Sequence, residues 1–248
     1  MLLGIIGKPL EHTQSPAFHN RKLKENNIPG EYKAFELDSI EEFPALLQDN
    51  PDLCGLNVTK PYKEGVMQYL TEIDPGAKAI GAVNVVKIIR QGNNIIGKIG
   101  FNTDKDGFRE SLKPLIKGRT DVKALILGTG GASKAVRQAL TELGIAYKFV
   151  SRSGGEDRFS YKDLTPSVMD EYKLIINCTP LGMTPDTDTC PDIDYSAITD
   201  KHMAYDLIYS PAKTLFLAKC ESHGAAIKNG QDMFELQAEA SWKIFNDK

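Results

Sequence analysis

Short apolar runs rich in Val, Ile and Leu recur along the whole chain, separated by longer segments of helical period. Strands are expected at 2–6, 32–37, 53–58, 84–89 and 94–99, then at 123–127, 147–151, 173–177 and 203–208. Helices are expected between them, at 16–26, 41–49, 62–70, 105–117, 132–143, 212–222 and 232–246. A helix between two strands carries the chain back to the starting edge, so such strands pair in parallel and the sheet is covered on both faces. The chain is therefore read as α/β. QGNN at 91–94 departs from this pattern, because Asn and Gly suit a tight reversal, and it implies one antiparallel edge in the first half. A break near GFNTD (100–104) gives two domains, 1–103 and 104–230, with the final helix, 231–248, placed to return to the first.

Composition narrows the function classes. Of 248 residues, 41% are hydrophobic, enough for a proper core, and the net charge is −3 with no long run of one sign. Neither a nucleic-acid partner nor a membrane-surface partner is expected. The longest apolar runs have strand length, far short of a bilayer span, and the N-terminal one is too short for a signal peptide and lacks a basic leader. The four cysteines form no close pair, so neither a metal site nor a disulfide framework is expected. These features read as a soluble protein of a reducing cytoplasm.

The segment KALILGTGGASKAVRQALTELGIAYKFVSRS (123–153) has the order strand, glycine turn, helix, strand. Gly128, Gly130 and Gly131 precede a helix opening at Ala132-Ser133. Glycines let backbone N–H groups approach a pyrophosphate, which then sits at the positive helix end. Ser133 replaces the third glycine of the usual pattern, yet the placement between strand and helix carries a dinucleotide reading. The next strand tip is Ser151-Arg152-Ser153, with no carboxylate for a ribose hydroxyl. A guanidinium flanked by hydroxyls suits a 2′-phosphate, so NADP is expected over NAD, with an ordinary surface arginine as the competing reading. NCTPLGM (177–183) ends a further strand and would set Asn177 and Thr179 at the carboxyl edge of the sheet, where such folds bind ligands.

In the first half, NVTKPYK (57–63) follows an apolar strand with Asn57, Thr59, Lys60 and Lys63. A solvated strand end competes there with a substrate pocket holding a proton-transferring lysine. Thr13 and Ser15 precede Pro16, a good first residue of a helix. Their hydroxyls could cradle a carboxylate, although the stretch alone favours helix capping. His12 and His19 read as structural in the absence of a partner.

The stretches GKPLEHTQSPAFHN (7–20), NVTKPYK, GAVNVV (81–86), GFNTD, GTGGAS (128–133), VSRS (150–153), NCTPLGM, DLIYSPAKT (206–214) and GQDMFELQ (230–237) together resemble the shikimate dehydrogenases nearly end to end. The resemblance implies an N-terminal α/β substrate domain with a mostly parallel sheet, facing a Rossmann-type NADP-binding domain across a cleft. The activity it implies is reduction of 3-dehydroshikimate to shikimate with NADPH, on the route to chorismate and the aromatic amino acids. It assigns the reacting lysine to Lys63, leaves Lys60 at a variable position, and gives Lys63 an acidic partner in Asp104. It also implies substrate contacts from Thr13, Ser15, Thr59, Asn84, Tyr209 and Gln237. The cofactor would be held by Gly128, Gly130, Gly131, Ala132, Ser151, Arg152, Ser153 and Thr179, with Gly230 and Met233 nearby. Thr13 stands where the family commonly has serine, Gly154-Gly155 where a further basic residue is common, and Gln231-Asp232 where small residues are common.

The chemistry suits these residue types. Hydride addition to a ketone builds negative charge on its oxygen, and a lysine ammonium both stabilises that charge and supplies the proton. A carboxylate beside it orients the ammonium and accepts from a neighbouring hydroxyl. A small-molecule substrate is thus expected, handled by a monomer or homodimer. The alternatives are a quinate/shikimate dehydrogenase using NAD or NADP, and a non-catalytic NADP-binding regulator of the same fold, which would need neither Lys63 nor Asp104. A methylenetetrahydrofolate dehydrogenase-like enzyme is disfavoured by DLIYSPAKT and NVTKPYK.

Overall fold

The computed structural model describes residues 1–11, 13–92, 94–119 and 121–247. The chain forms two compact units, Met1–Thr103 with Gln237–Lys248, and Asp104–Leu236.

The first unit runs β1 (Leu2–Gly7), α1 (Ser15–Glu25), β2 (Glu31–Glu36), α2 (Phe43–Asp49), β3 (Leu53–Val58), β4 (Glu72–Ile73), α3 (Pro75–Ile80), β5 (Val85–Gln91) and β6 (Asn94–Phe101). Its six strands lie in the order β2-β1-β3-β5-β6-β4. β1 pairs in parallel with β2 and β3, whereas β5 is antiparallel to both β3 and β6. The reversed strand is thus interior, not the edge that QGNN implied, because β3 pairs along its other side and β6 is itself covered by β4 in parallel. Asn93 of that hairpin lies outside the described residues. Successive residues of β1 and β3 serve opposite faces: Leu3 and Ile5 pack with Leu23, Tyr32, Trp242 and Phe245, while Ile6, Leu56 and Val58 pack with Phe43, Leu47 and Val66.

The second unit runs α4 (Asp104–Ile116), β7 (Ala124–Leu127), α5 (Gly131–Glu142), β8 (Tyr147–Ser151), β9 (Arg158–Ser160), α6 (Pro166–Glu171), β10 (Leu174–Asn177), β11 (Met203–Asp206), α7 (Leu215–Ser222) and β12 (Ala226–Lys228). Its strand order is β12-β11-β10-β7-β8-β9 and every pairing is parallel. This is the doubly wound dinucleotide-binding order, with its reversal between β7 and β10. Ala124 and Ile126 face one core with Phe108, Leu112 and Val136, while Leu125 and Leu127 face another with Phe216, Leu217 and Met169. Burial on both faces explains why these strands read as unbroken apolar runs. The last helix, α8 (Gln231–Asn246), begins in the second unit and continues in the first.

Several expectations needed correction. Residues 62–70 form no α-helix; Gly65–Tyr69 is a 3₁₀ turn held by bonds such as Met67 N–H to Glu64 O at 3.2 Å. The helix expected from 212 starts at Leu215, where Thr214 Oγ1 accepts the Leu217 N–H at 3.3 Å. Two helices escaped the pattern because each is only six residues long, although Asp74-Pro75 and Thr165-Pro166 are sound start signals and both polar side chains cap. On α8, Leu236 is exposed, while Ala238 and Ser241 of the same helix are buried. Among the described residues no helix is long and apolar enough to cross a membrane.

Candidate active site

In the first sheet the chain leaves β1 for β2 on one side and returns to β3 on the other, so the carboxyl ends of β1 and β3 flank a switch point. There Thr59 N–H donates to Ile6 O at 2.9 Å and Lys8 N–H to Lys60 O at 3.0 Å. A Cβ on Gly7 would stand 2.3 Å from Thr59 Cγ2, so only glycine permits this closure. The buried Tyr62 hydroxyl donates to Leu37 O at 2.6 Å and pins the next turn. Lys60 is left exposed and Lys63 half-buried, with the Lys63 carbonyl accepting Val83 N–H at 2.8 Å. After Val58 ends β3, the rest of NVTKPYK is therefore a tightly anchored turn that leaves Lys60 in solvent.

Thr13 and Ser15 leave the same end of β1. Gln14, not either hydroxyl, is the N-cap of α1, and it makes no side-chain cap bond. Instead Thr13 Oγ1 donates to Ser15 Oγ at 3.2 Å, and Ser15 N–H donates to Thr13 Oγ1 at 3.3 Å. The capping reading gives way to a paired-hydroxyl arrangement. His19 stacks on Tyr32 with ring centroids 4.5 Å apart. Burial foremost, then the Lys22 charge, pushes its pKa down to about 4, so the ring is neutral and structural. His12 lies outside the described residues.

A buried polar cluster sits beside this loop. Thr103 N–H donates to Asn84 Oδ1 at 2.8 Å, and Asn84 Nδ2 donates to Thr103 Oγ1 at 2.9 Å and toward Gln237 Oε1 at 3.4 Å. Asn57 Nδ2 donates to Ser241 Oγ at 3.0 Å, and its Oδ1 accepts the Tyr32 hydroxyl at 2.7 Å. Val83 ties Lys63 to the residue before Asn84, while Thr103 precedes Asp104, itself 7% exposed at the start of α4. Asn84 and Gln237 are thus brought together in one unit. Asn57 reads from the sequence as a polar residue at a strand end but without a partner, and Thr103 and Ser241 are not singled out there at all.

In the second unit, Gly128 at φ +101° ends β7, and a Cβ there would lie 3.1 Å from Thr179 Cγ2. Gly130 is the N-cap of α5, and the position of its missing Cβ has no atom of the described residues within 4 Å. Gly131 and Ala132 open the helix, and Ser133 is buried with its hydroxyl returned to Gly130 O at 2.7 Å. The serine fills the third glycine position without intruding on the turn. At the tip of β8 the Ser151 hydroxyl is buried and has no hydrogen-bond partner among the described residues, while Arg152 and Ser153 are exposed. Thr179 donates to Asn177 Oδ1 at 2.6 Å, and Asn177 Nδ2 donates to Asp206 Oδ1 at 3.1 Å. Asp206 is fully buried and also accepts from Thr214 Oγ1 at 2.6 Å and Ile208 N–H at 3.0 Å. Burial pushes its pKa up to about 6 despite those donors.

Gly230 N–H donates to Ile208 O at 3.0 Å, and a Cβ there would lie 2.1 Å from Leu207 O, so no other residue fits. Met233 points into the core with Phe108, Val136 and Tyr205, and the half-buried Tyr209 lies 5.1 Å, ring to ring, from Phe234.

A family profile described as the shikimate dehydrogenase substrate binding domain matches residues 5–86. A relative from Clostridium botulinum, named shikimate dehydrogenase (NADP(+)), is 38% identical over 245 residues, covering 95% of this chain and 92% of its own. The crystal structure of shikimate 5-dehydrogenase from Thermus thermophilus in complex with NADP(H) and shikimate superposes with a TM-score of 0.85 at 28% identity, covering 99% of this chain and 93% of that one. Quinate dehydrogenase from Corynebacterium glutamicum in complex with NAD gives a TM-score of 0.86 at 26% identity, with coverage of 99% and 93%. With more than a third of its residues shared over nearly its full length, the chain belongs to the shikimate dehydrogenase family.

Proposed function

We propose that the protein is an NADP-dependent dehydrogenase that interconverts 3-dehydroshikimate and shikimate. The observation that carries this reading is the Asn84–Thr103–Gln237 cluster, with Asn84 and Thr103 buried and Gln237 half-buried, linked through Val83 to Lys63 and through one peptide bond to Asp104. Such a preformed array of directed donors recognises a ring bearing several hydroxyls.

Bound NADPH supplies the hydride. Lys63 meets the ketone oxygen, stabilises the charge that grows there and gives that oxygen its proton, to be replaced from solvent. Asp104 is the acid proposed to accept from the adjacent ring hydroxyl. Asn84, Thr59 and Gln237 bond the hydroxyls, and Thr13, Ser15 and Tyr209 hold the substrate carboxylate. The first unit is the substrate domain and the second the cofactor domain.

The second unit fits NADP. The uncapped N-terminus of α5 offers N–H groups, and the open space over Gly130 admits a pyrophosphate close to the backbone. Arg152, Ser151 and Ser153 would hold the 2′-phosphate, and the buried Ser151 hydroxyl, without a hydrogen-bond partner among the described residues, is a donor for it. Thr179 and Gly230 would lie toward the nicotinamide end, with Met233, whose side chain is in the core, beside them. The enzyme works in the cytoplasm as a monomer or homodimer.

Absorbance of NADPH, followed with shikimate and with quinate and with NADP and NAD in turn, tests the reading. Turnover confined to shikimate with NADP is expected. Faster turnover of quinate would transfer the assignment to a quinate dehydrogenase, the alternative that Thr13 in place of serine leaves open. Absence of turnover with every pair would leave a non-catalytic nucleotide-binding protein.

A further inference from the structure

Ser241 is fully buried on α8, four residues beyond Gln237, and its single hydroxyl meets three neighbours. It donates to Gln237 O at 2.9 Å, accepts from Asn57 Nδ2 at 3.0 Å, and lies 3.2 Å from Thr103 Oγ1. A serine hydroxyl has one proton and two acceptor positions. With its proton given to Gln237 O and one acceptor position taken by Asn57, the remaining bond must come from the Thr103 hydroxyl. Thr103 Oγ1 then keeps its own lone pairs for Asn84 Nδ2, at 2.9 Å. The far end is set as well, because the Tyr32 hydroxyl donates to Asn57 Oδ1 at 2.7 Å and so turns Asn57 Nδ2 toward Ser241.

We infer that Ser241 is a positioning residue for substrate recognition: its hydroxyl sets the direction of the Thr103 proton and thereby holds the Asn84 and Gln237 amides in one orientation before substrate arrives. The inference rests on the reading of Asn84 and Gln237 as substrate contacts. Without Ser241, the Thr103 proton has two other acceptors within reach, Asn84 Oδ1 at 3.3 Å and Gln237 Oε1 at 3.4 Å. Either choice turns the Thr103 hydroxyl, so the lone pair that receives Asn84 Nδ2 no longer has one fixed direction. The bound enzyme must then select one amide arrangement from several, which weakens binding of the hydroxylated ring and leaves the second unit untouched.

Steady-state kinetics of Ser241→Ala, Asn84→Ala and the double variant, with melting temperatures, provide the test. Ser241→Ala is expected to raise KM for shikimate about tenfold, the loss of roughly one oriented hydrogen bond, while KM for NADP stays unchanged. On the Asn84→Ala background the same change is expected to add less than about twofold, because the group it orients is gone. Ser241→Thr, which keeps the hydroxyl, is expected to recover most of the shikimate affinity. Should Ser241→Ala fail to fold, Tyr32→Phe removes the far donor and is expected to raise KM for shikimate about threefold by the same route. An unchanged shikimate KM, full additivity in the double variant, or an equal rise in both KM values would overturn the inference. If Asn84→Ala itself leaves shikimate binding intact, the site reading fails and takes the inference with it; if Asn84→Ala matters and Ser241→Ala does not, only the inference falls.

Discussion

Thr103 gives its backbone N–H to the Asn84 side-chain oxygen at 2.8 Å and receives the Asn84 amide N–H on its own hydroxyl at 2.9 Å. This reciprocal pair locks the start of β5 to the residue that precedes Asp104. Backbone and side chain of Thr103 are fixed together. A site intended to meet a polar ring benefits from such order, since reorganisation on binding is avoided.

Replacing Lys63 by Ala should lower kcat by about 10²–10⁴-fold, the usual worth of a positioned proton donor, while NADP binding by fluorescence titration is retained. Lys60→Ala, at an exposed position three residues earlier, should leave kcat within about twofold of wild type. Similar losses in both variants would mean that the loop contributes general positive charge and no specific donor.

Arg152→Ala removes the guanidinium proposed for the 2′-phosphate. KM for NADP should rise at least about tenfold with KM for NAD nearly unchanged, since a charge-assisted bond to phosphate is among the stronger polar contacts. A parallel rise in both constants would reassign Arg152 to the protein surface.

Gly230 and Gly130 should respond differently to the same added methyl group. At Gly230 the new Cβ would meet Leu207 O at 2.1 Å, so Gly230→Ala should lower the melting temperature markedly. Gly130→Ala meets no atom of the described residues within 4 Å and has φ −75°, so stability should hold while NADP affinity falls. Loss of NADP affinity is the readout of pyrophosphate approach over that turn; an unaltered Kd would remove the turn from the cofactor site.

Two buried groups should tilt stability in opposite directions with pH. Asp206 has its pKa raised from 3.8 to about 6 by burial, so the folded state holds an extra proton in that interval and stability falls as pH rises through it. His19 has its pKa lowered from 6.5 to about 4, so the unfolded state holds the extra proton and stability falls as pH drops below 6.5. Each shift corresponds to about 3 kcal/mol at full extent. Melting curves between pH 4 and 7 should show the advantage of wild type over Asp206→Asn shrinking as pH rises, and its advantage over His19→Phe growing. Parallel curves for wild type and variant would show that the group does not titrate in this range.

How much was legible in advance follows from which interactions are local. Alternation of apolar strands and helical segments is enough to set an α/β architecture, because burial on both faces of a parallel sheet writes itself into consecutive residues such as Ala124–Leu127. The glycine turn after β7 and the hydroxyl-rich tip of β8 were equally visible, since each depends on a few adjacent residues. The two- and three-residue strands β4, β9 and β12 were not, for they exist only through pairing with β6, β8 and β11.

The substrate-side cluster marks the boundary most clearly. Asn84 and Gln237 entered through motif resemblance, but Asn57 and Ser241 are 184 positions apart and Thr103 and Ser241 are 138 apart. No periodicity or turn chemistry connects residues at such separations. From its order of residues alone the chain determines its layers, its glycine turn and the types of side chain at the sheet ends. Only tertiary packing decides which amide meets which hydroxyl, because a buried polar atom takes its partner from whatever the fold brings within 3 Å or so, whatever its distance along the chain.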